Sequence, residues 1–270
     1  MKIYLAGSEF FGPILKKGGA KNCLFSFYAY FRYSRRKSAL RSLDKYITEN
    51  KGMDLFMDSG GYSAFSCGAE IDIDLYCKVI KQYEKKLIVY AQLDVIGDPE
   101  KTRENLEYME SKGLSPLPVF HYGSDFDILR ELAQKYDYIA LGGLVPYSKR
   151  KPRLKQHLDT CFAIIQDQCR VHGFGMTGME ILQRYPWYSV DSTGWLGGSK
   201  RAEYHSFERG KLKFKNTKVK DDASLQSIPL MQKEKRDGSW KLRSTDCVKQ
   251  WLKVEKYITD LWTKRGIIYE

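Results

Sequence analysis

From Met1 onward, short apolar and β-branched runs alternate with longer segments whose apolar residues recur every three or four positions. That alternation is the signature of parallel βα units. The runs predict strands at Ile3–Ala6, Leu24–Tyr28, Leu55–Asp58, Leu87–Asp94, Leu117–Tyr122, Tyr138–Leu141, Arg170–Phe174 and Tyr188–Asp191. Eight parallel strands close a barrel, so the pattern predicts an α/β protein built as a (β/α)8 TIM-like barrel. Between the strands, Ile73 to Lys85 carries Leu75, Val79, Ile80 and Tyr83 at helical spacing, and Asp98-Pro99-Glu100 opens a helix with an acceptor cap and Pro at the first position. Asp125 to Tyr136, Pro152 to Gln168 and the short Gly178 to Arg184 follow the same logic. After Trp195 the pattern changes. Lys200 to Lys220 is dense in Lys and Arg, and Ser244 or Thr245 is expected to cap a last helix with Cys247, Trp251, Val254, Ile258 and Leu261 on its apolar side. The expected division is a barrel over residues 1–195 and a basic C-terminal appendage, 196–270, packed on it.

A chain of 270 residues suits one such barrel, and 43% hydrophobic residues are enough for its core. Charge alters the picture more: 45 Lys+Arg against 33 Asp+Glu leave a formal net charge of +12. Such an excess points to a polyanion, because neutralising phosphates releases condensed counterions, although composition alone does not separate this from an ordinary basic protein. The cations gather in three stretches. Arg32, Arg35, Arg36 and Lys37 follow the aromatic run from Phe25; Lys149, Arg150 and Lys151 precede Arg153; Lys200 and Arg201 lead to Arg209, Lys211, Lys213 and Lys215. Basic residues interleaved with aromatics suit a phosphate backbone and stacked bases. Six cysteines, at 23, 67, 77, 161, 169 and 247, form neither a CxxC pair nor a zinc-spaced cluster, so no metal, cofactor or disulfide framework is expected. With no apolar run of about 18 residues and too short an apolar start for a signal peptide, a cytoplasmic protein with no membrane partner is expected.

The strand ends are polar or glycine-rich, and in a barrel such ends converge on one rim, where chemistry sits. Tyr188 to Asp191 delivers one carboxylate into a Ser-Thr-Gly turn flanked by Trp187 and Trp195. Met57-Asp58-Ser59-Gly60-Gly61-Tyr62 places a carboxylate, a hydroxyl and two glycines after a strand; glycines let backbone approach a flat ligand, while an Asx or Ser turn explains the same residues. Gln92 and Asp94 end the next strand with an acceptor amide and a second carboxylate, whose oxygens suit the donor edge of a guanine. A helix cap is the alternative for Asp94, a role that Asp98 fits better. His121 is a candidate pocket contact, Gly142, Gly143 and Leu144 offer backbone N–H groups to a carbonyl oxygen, Phe174 or Met176 is expected to form an apolar wall, and His172 is expected in the core.

Asp58-Ser59-Gly60-Gly61, then Asp94, Gly142-Gly143-Leu144, Gly173-Phe174-Gly175 and Val190-Asp191 occur in the order seen in the tRNA-guanine transglycosylase family, which the chain resembles over roughly residues 54 to 195. Its compact size and the run Tyr-Pro-Trp-Tyr-Ser-Val-Asp-Ser-Thr are similar to the phage and bacterial branch that inserts 7-deazaguanines into DNA. The resemblance implies Asp191 as nucleophile, Asp58 as acid/base carboxylate, Asp94 as reader of the base edge, and backbone contacts from Gly142, Gly143 and Leu144. His121 stands where the tRNA enzymes are expected to have a glutamine. Their Cys-rich zinc motif has no counterpart, since Cys247 is alone; residues 196–270 would then replace the zinc subdomain, which speaks for a polymer other than tRNA.

The implied reaction exchanges guanine in DNA for a 7-deazaguanine base, such as 7-cyano-7-deazaguanine, through a covalent Asp191–glycosyl intermediate. It parallels retaining glycosidases, whose carboxylates stand about 5 Å apart. Asp58 must hold a proton near neutral pH, with repulsion from Asp94 as one means of doing so. The alternatives are the same chemistry on tRNA, hydrolytic base excision from DNA, and a nucleic-acid-binding barrel without catalysis. Localisation follows as cytoplasmic, in the host if the protein is phage-encoded.

Overall fold

Parallel pairing organises the chain, and a computed structural model describes residues 1–32, 36–148, 150–216 and 240–269. The strands are β1 (Lys2–Ala6), β2 (Asn22–Ser26), β3 (Asp54–Asp58), β4 (Val89–Tyr90), β5 (Val119–His121), β6 (Tyr138–Gly142), β7 (Arg170–Gly173) and β8 (Ser189–Ser192). They form an 8-stranded parallel sheet in the order β4-β3-β2-β1-β8-β7-β6-β5. A parallel bridge between Ala91 and Leu117 joins the two ends just past β4 and just before β5, with Leu117 N donating to Tyr90 O and Gln92 N to Leu117 O. The curled sheet therefore follows the strand order of a TIM-like (β/α)8 fold. Seven of the eight expected runs became strands within two residues of either bound. The runs around β4 and β5 shortened, because Leu93 and Asp94 leave the sheet and only Ala91 bridges.

Side chains on a strand alternate between faces, and here the alternation separates two cores. Tyr4, Ala6, Leu24, Phe56, Ala91, Leu117, Val119 and Ala140 pack together inside the curl, with Val89, Tyr138 and Phe174 against them. The intervening residues, among them Leu5, Phe25, Leu55, Met57, Phe120, Leu141 and Val190, pack outward with the helices. Parity then sets the upper layer. Two residues beyond Leu24, Phe56 and Val119 come Ser26, Asp58 and His121, and Asp191 lies two beyond Ser189.

The helices are α1 (Gly12–Gly18), α2 (Phe27–Phe31), α3 (Arg36–Glu49), α4 (Gly61–Ser66), α5 (Ile73–Tyr83), α6 (Pro99–Ser111), α7 (Phe126–Lys135), α8 (Lys151–Ile165), α9 (Met179–Arg184), α10 (Gly197–Lys200) and α11 (Trp240–Lys264). Asp72, Asp98 and Asp125 cap α5, α6 and α7 by accepting the backbone N–H of Leu75, Lys101 and Asp127. Two expectations fail. Phe27 and Tyr28 leave the predicted strand to begin α2, where Phe27 stacks on Phe31 at 4.4 Å. Ser244 and Thr245 do not cap the last helix. They lie inside α11, and their hydroxyls donate back to Trp240 O and Lys241 O.

Cys247, Val248, Trp251, Val254 and Ile258 of α11 are buried; Leu261 is only half-buried, and its place in the core goes to Trp262, whose Nε1 donates to Leu182 O at 2.8 Å. The helix also grips the start of the sheet, with Glu255 Oε2 accepting Ile3 N at 2.6 Å and Asn22 Nδ2 at 3.0 Å. Before it, β9 (Glu203–Glu208) and β10 (Lys211–Asn216) form an antiparallel hairpin. Its two turn residues, Arg209 and Gly210, both have positive φ, 50° and 73°, the requirement of a two-residue turn matched to strand twist. No helix among the described residues is long and apolar enough to cross a membrane.

Candidate active site

Asp58 closes β3 on the inward face, beside Ser26 in the β2 register. Its Oδ2 accepts the Gly60 N–H at 3.0 Å, an Asx turn, as the turn reading expects. Gly60 is at φ +82°, and a Cβ there would stand 2.3 Å from Ser26 Oγ and 2.5 Å from Tyr28 Cβ. Burial pushes the Asp58 carboxyl up from 3.8 to about 8, reinforced by the negative charges of Asp94 and Asp191 and opposed by the Gly60 hydrogen bond. Part of the residue still meets solvent at the mouth, but its carboxyl lies among protein atoms and like charges, so the upward direction stands.

Asp94 follows β4 and is held from both sides. Ser59 Oγ donates to Oδ1 at 3.2 Å, and His121 Nε2 meets Oδ2 at 2.8 Å. Ser59 in turn accepts the Gly61 N–H at 3.1 Å. A carboxylate oxygen has two lone pairs, so each keeps acceptor capacity for a ligand edge. Asp98, not Asp94, caps the following helix. Gln92 is 1% exposed; its Nε2 donates to Thr102 O and its Oε1 accepts Val119 N, which braces the joint between β4 and β5.

Asp191 ends β8, one residue before Ser192, and is 8% exposed. Gly175 donates its backbone N–H to Asp191 Oδ1 at 2.8 Å, from a φ of 69° that suits a residue without Cβ. His172 Nε2 lies 3.5 Å from the same oxygen. Phe174 packs across His172 at 4.6 Å and near Phe56 at 6.1 Å, half-buried beneath the mouth. Met176 and Leu144 are core side chains, 2% and 0% exposed, leaving their backbone as the part that can face a ligand. Gly142 packs against His121, and Gly143, His121, Tyr122 and Tyr147 line a cavity of about 270 Å³ with Tyr62. Tyr122 and Tyr147 stack there at 3.8 Å. A second cavity of about 400 Å³ reaches Asp94 and Gly61. The narrow cavity between α6 and α7 holds none of these carboxylates.

A fourth carboxylate stands on the same rim, unanticipated. Glu9 follows β1; its Oε1 accepts Ser26 N at 2.9 Å, and burial raises its pKa against the opposing pull of the Ser26 N–H, Lys200 and Arg32. Glu9 also adds to the charge that raises Asp58. Its only signal was a carboxylate three residues past a predicted strand end, where Asp58 and Asp191 close theirs.

The expected cations divide. Arg32 and Lys200 come near Glu9 and are exposed. Arg36 and Lys37 are exposed at the start of α3, and Arg150 is exposed just before α8. Lys151 lies 3.6 Å from Glu180, and Arg201 grips Glu203 with two bonds of 2.7 and 2.9 Å, so both have protein partners. Arg35 and Lys149 lie outside the described residues. Among those described, no cluster of three or more His, Cys, Asp or Glu could hold a metal ion, and all six cysteines are free.

No protein-family model matches the chain, and no curated protein matches it. Function rests on the site itself.

Proposed function

We propose that the protein is a DNA guanine transglycosylase, exchanging guanine for a 7-deazaguanine base through a covalent bond between Asp191 and the sugar C1′. The observation that carries this reading is the elevated Asp58 carboxyl, up to about 8, beside the negative charges of Asp191 and Asp94. A carboxyl that holds its proton, with a second carboxyl on the same rim close enough to act on it by charge, is the pair that can divide acid and nucleophile roles.

In the first half-reaction an Asp191 oxygen attacks C1′. The C1′–N9 bond breaks with its electron pair going to guanine, and the Asp58 proton goes to the departing base. In the second, an incoming 7-deazaguanine loses its ring N–H proton to the Asp58 carboxylate and attacks C1′, releasing Asp191. Asp94, steadied by Ser59 and His121, accepts the amide and amino protons of either base. The target nucleotide must leave the duplex stack, at a cost of a few kcal/mol. Arg32 and Lys200, exposed near Glu9, supply phosphate contacts that offset it, with Arg36 and Lys37 exposed at the start of α3 as further candidates.

The test is exchange of labelled guanine and of 7-cyano-7-deazaguanine, on a DNA duplex and on tRNA side by side, read by nucleoside mass spectrometry. Incorporation into DNA that depends on Asp191 is expected. Incorporation into tRNA alone would overturn the polymer assignment, and release of free guanine without an acceptor base would replace exchange by hydrolysis.

A further inference from the structure

Beneath Asp191 the inside of the barrel is polar where an apolar layer is the rule. His172, fully buried, lies between Ser189 and Asp191: its Nδ1 is 2.6 Å from Ser189 Oγ, and Ser189 Oγ is 2.5 Å from Tyr138 OH. Its Nε2 is buried without a hydrogen-bond partner and faces Asp191 Oδ1 at 3.5 Å. An unpartnered buried N–H costs about 1–3 kcal/mol, and nothing in the apolar packing of Tyr4, Phe56 and Phe174 around the ring repays that.

Proton direction follows from the neighbours. If Tyr138 donates to Ser189 and Ser189 donates to Nδ1, Nε2 carries the remaining hydrogen and points it at a carboxylate. The opposite tautomer would aim the Nε2 lone pair at Asp191 and leave the Tyr138 hydrogen to seek another acceptor. The first arrangement gives the Tyr138 and Ser189 hydrogens an acceptor each and aims the Nε2 hydrogen at a carboxylate. Both donors to Asp191, the Gly175 N–H and the His172 N–H, then converge on Oδ1. Among the described residues no donor lies on Oδ2.

We propose that His172 is a positioning residue: at the end of the relay Tyr138–Ser189–His172 it fixes the Asp191 carboxylate so that Oδ2 is the oxygen that bonds to C1′. The inference rests on the transglycosylase reading. When Oδ2 forms the glycosyl ester, Oδ1 becomes its carbonyl oxygen, keeps the Gly175 N–H and faces the His172 Nε2. When the incoming base breaks that ester, the electron pair of the C1′–Oδ2 bond returns to the carboxylate, and the same donors stabilise the charge. The 3.5 Å separation is that of the free enzyme, and catalytic hydrogen bonds often tighten on going to the reacting complex.

The test has two arms. Histidine-labelled protein, with His172→Gln assigning the signal, should show the Nε2–H tautomer for His172, and Asp191→Asn should move that Nε2–H resonance. An Nδ1–H tautomer, or a resonance indifferent to Asp191→Asn, overturns the relay. In single-turnover trapping of the covalent enzyme–DNA adduct, His172→Phe should slow adduct formation about 100-fold with DNA affinity within about twofold, and His172→Gln, which keeps an N–H, should recover about tenfold of that. Adduct formation at the wild-type rate in a folded His172→Phe protein also overturns it. Failure of the wild type to form any adduct overturns the transglycosylase reading instead, and the spectroscopic arm, which needs no substrate, still decides the relay.

Discussion

Gly60 donates its backbone N–H to Asp58 Oδ2 at 3.0 Å from a left-handed conformation, φ +82°. The bond steadies the charged form of Asp58 and so opposes the burial and repulsion that raise its pKa. Replacing Gly60 by Ala puts a Cβ onto Ser26 Oγ and Tyr28 Cβ. Gly60→Ala is expected to cost about 2–4 kcal/mol of stability in urea unfolding and to reduce exchange in the protein that remains folded.

Asp58 sets a pH dependence of definite sign. Its carboxyl holds its proton in the folded protein up to about 8, against 3.8 for an ordinary Asp. Base departure, which needs that proton, is expected to be level below about pH 8 and to fall about tenfold per unit above it, in single-turnover rates. The same shift affects stability. Between pH 4 and pH 8 the folded state binds more protons than the unfolded one, so this group's contribution is full below its unfolded value and is lost as pH rises through 8. Asp58→Asn removes that loss: it should abolish exchange yet be more stable than wild type at pH 8, by about 5 kcal/mol, with the gain gone near pH 4.

Asp94 contributes to the elevation of Asp58. Asp94→Asn should therefore move the alkaline break in the single-turnover profile to lower pH while weakening capture of the base. A break that stays in place would show that burial, with the charges of Asp191 and Glu9, raises Asp58 without Asp94.

Asp191→Ala should abolish exchange, and Asp191→Asn should do so with DNA binding nearly unchanged by gel shift or anisotropy. Wild-type exchange in either protein would remove Asp191 from the chemistry.

Glu255 satisfies the Ile3 N–H and the Asn22 amide from across the molecule. Glu255→Ala leaves both unmet in a half-buried setting, and urea denaturation should register a loss of about 2–3 kcal/mol.

The barrel pattern was readable because period-two alternation and strand ends survive in short apolar runs such as Ile139-Ala140-Leu141. Asp58, Asp94 and Asp191 were readable because each closes such a run. What was missed has physical causes. The run from Phe25 through Phe31 carries equal apolar weight as strand or helix, and packing of Phe27 on Phe31 decides for helix. Strand β10 was hidden under lysines that alternate with Leu212 and Phe214, and its partner β9 went unread with it. Ser244 and Thr245 look like caps, yet the helix continues upstream of them to Trp240. His172 was read as core, and it is; only three-dimensional register, pairing it with Ser189, reveals that a core position also lies 3.5 Å from Asp191 Oδ1.

The grip of α11 on β1 bears on how the molecule comes into being. β1 pairs with β8 through Lys2–Ser189 to Leu5–Ser192, and Ile3 N is completed by Glu255, 252 positions later. A strand synthesised early thus waits for partners that emerge from the ribosome late. Contacts of such long range slow folding and leave nascent edges exposed, so acquisition of the native state should await release of the C-terminal helix, with chaperone dependence greatest in that interval.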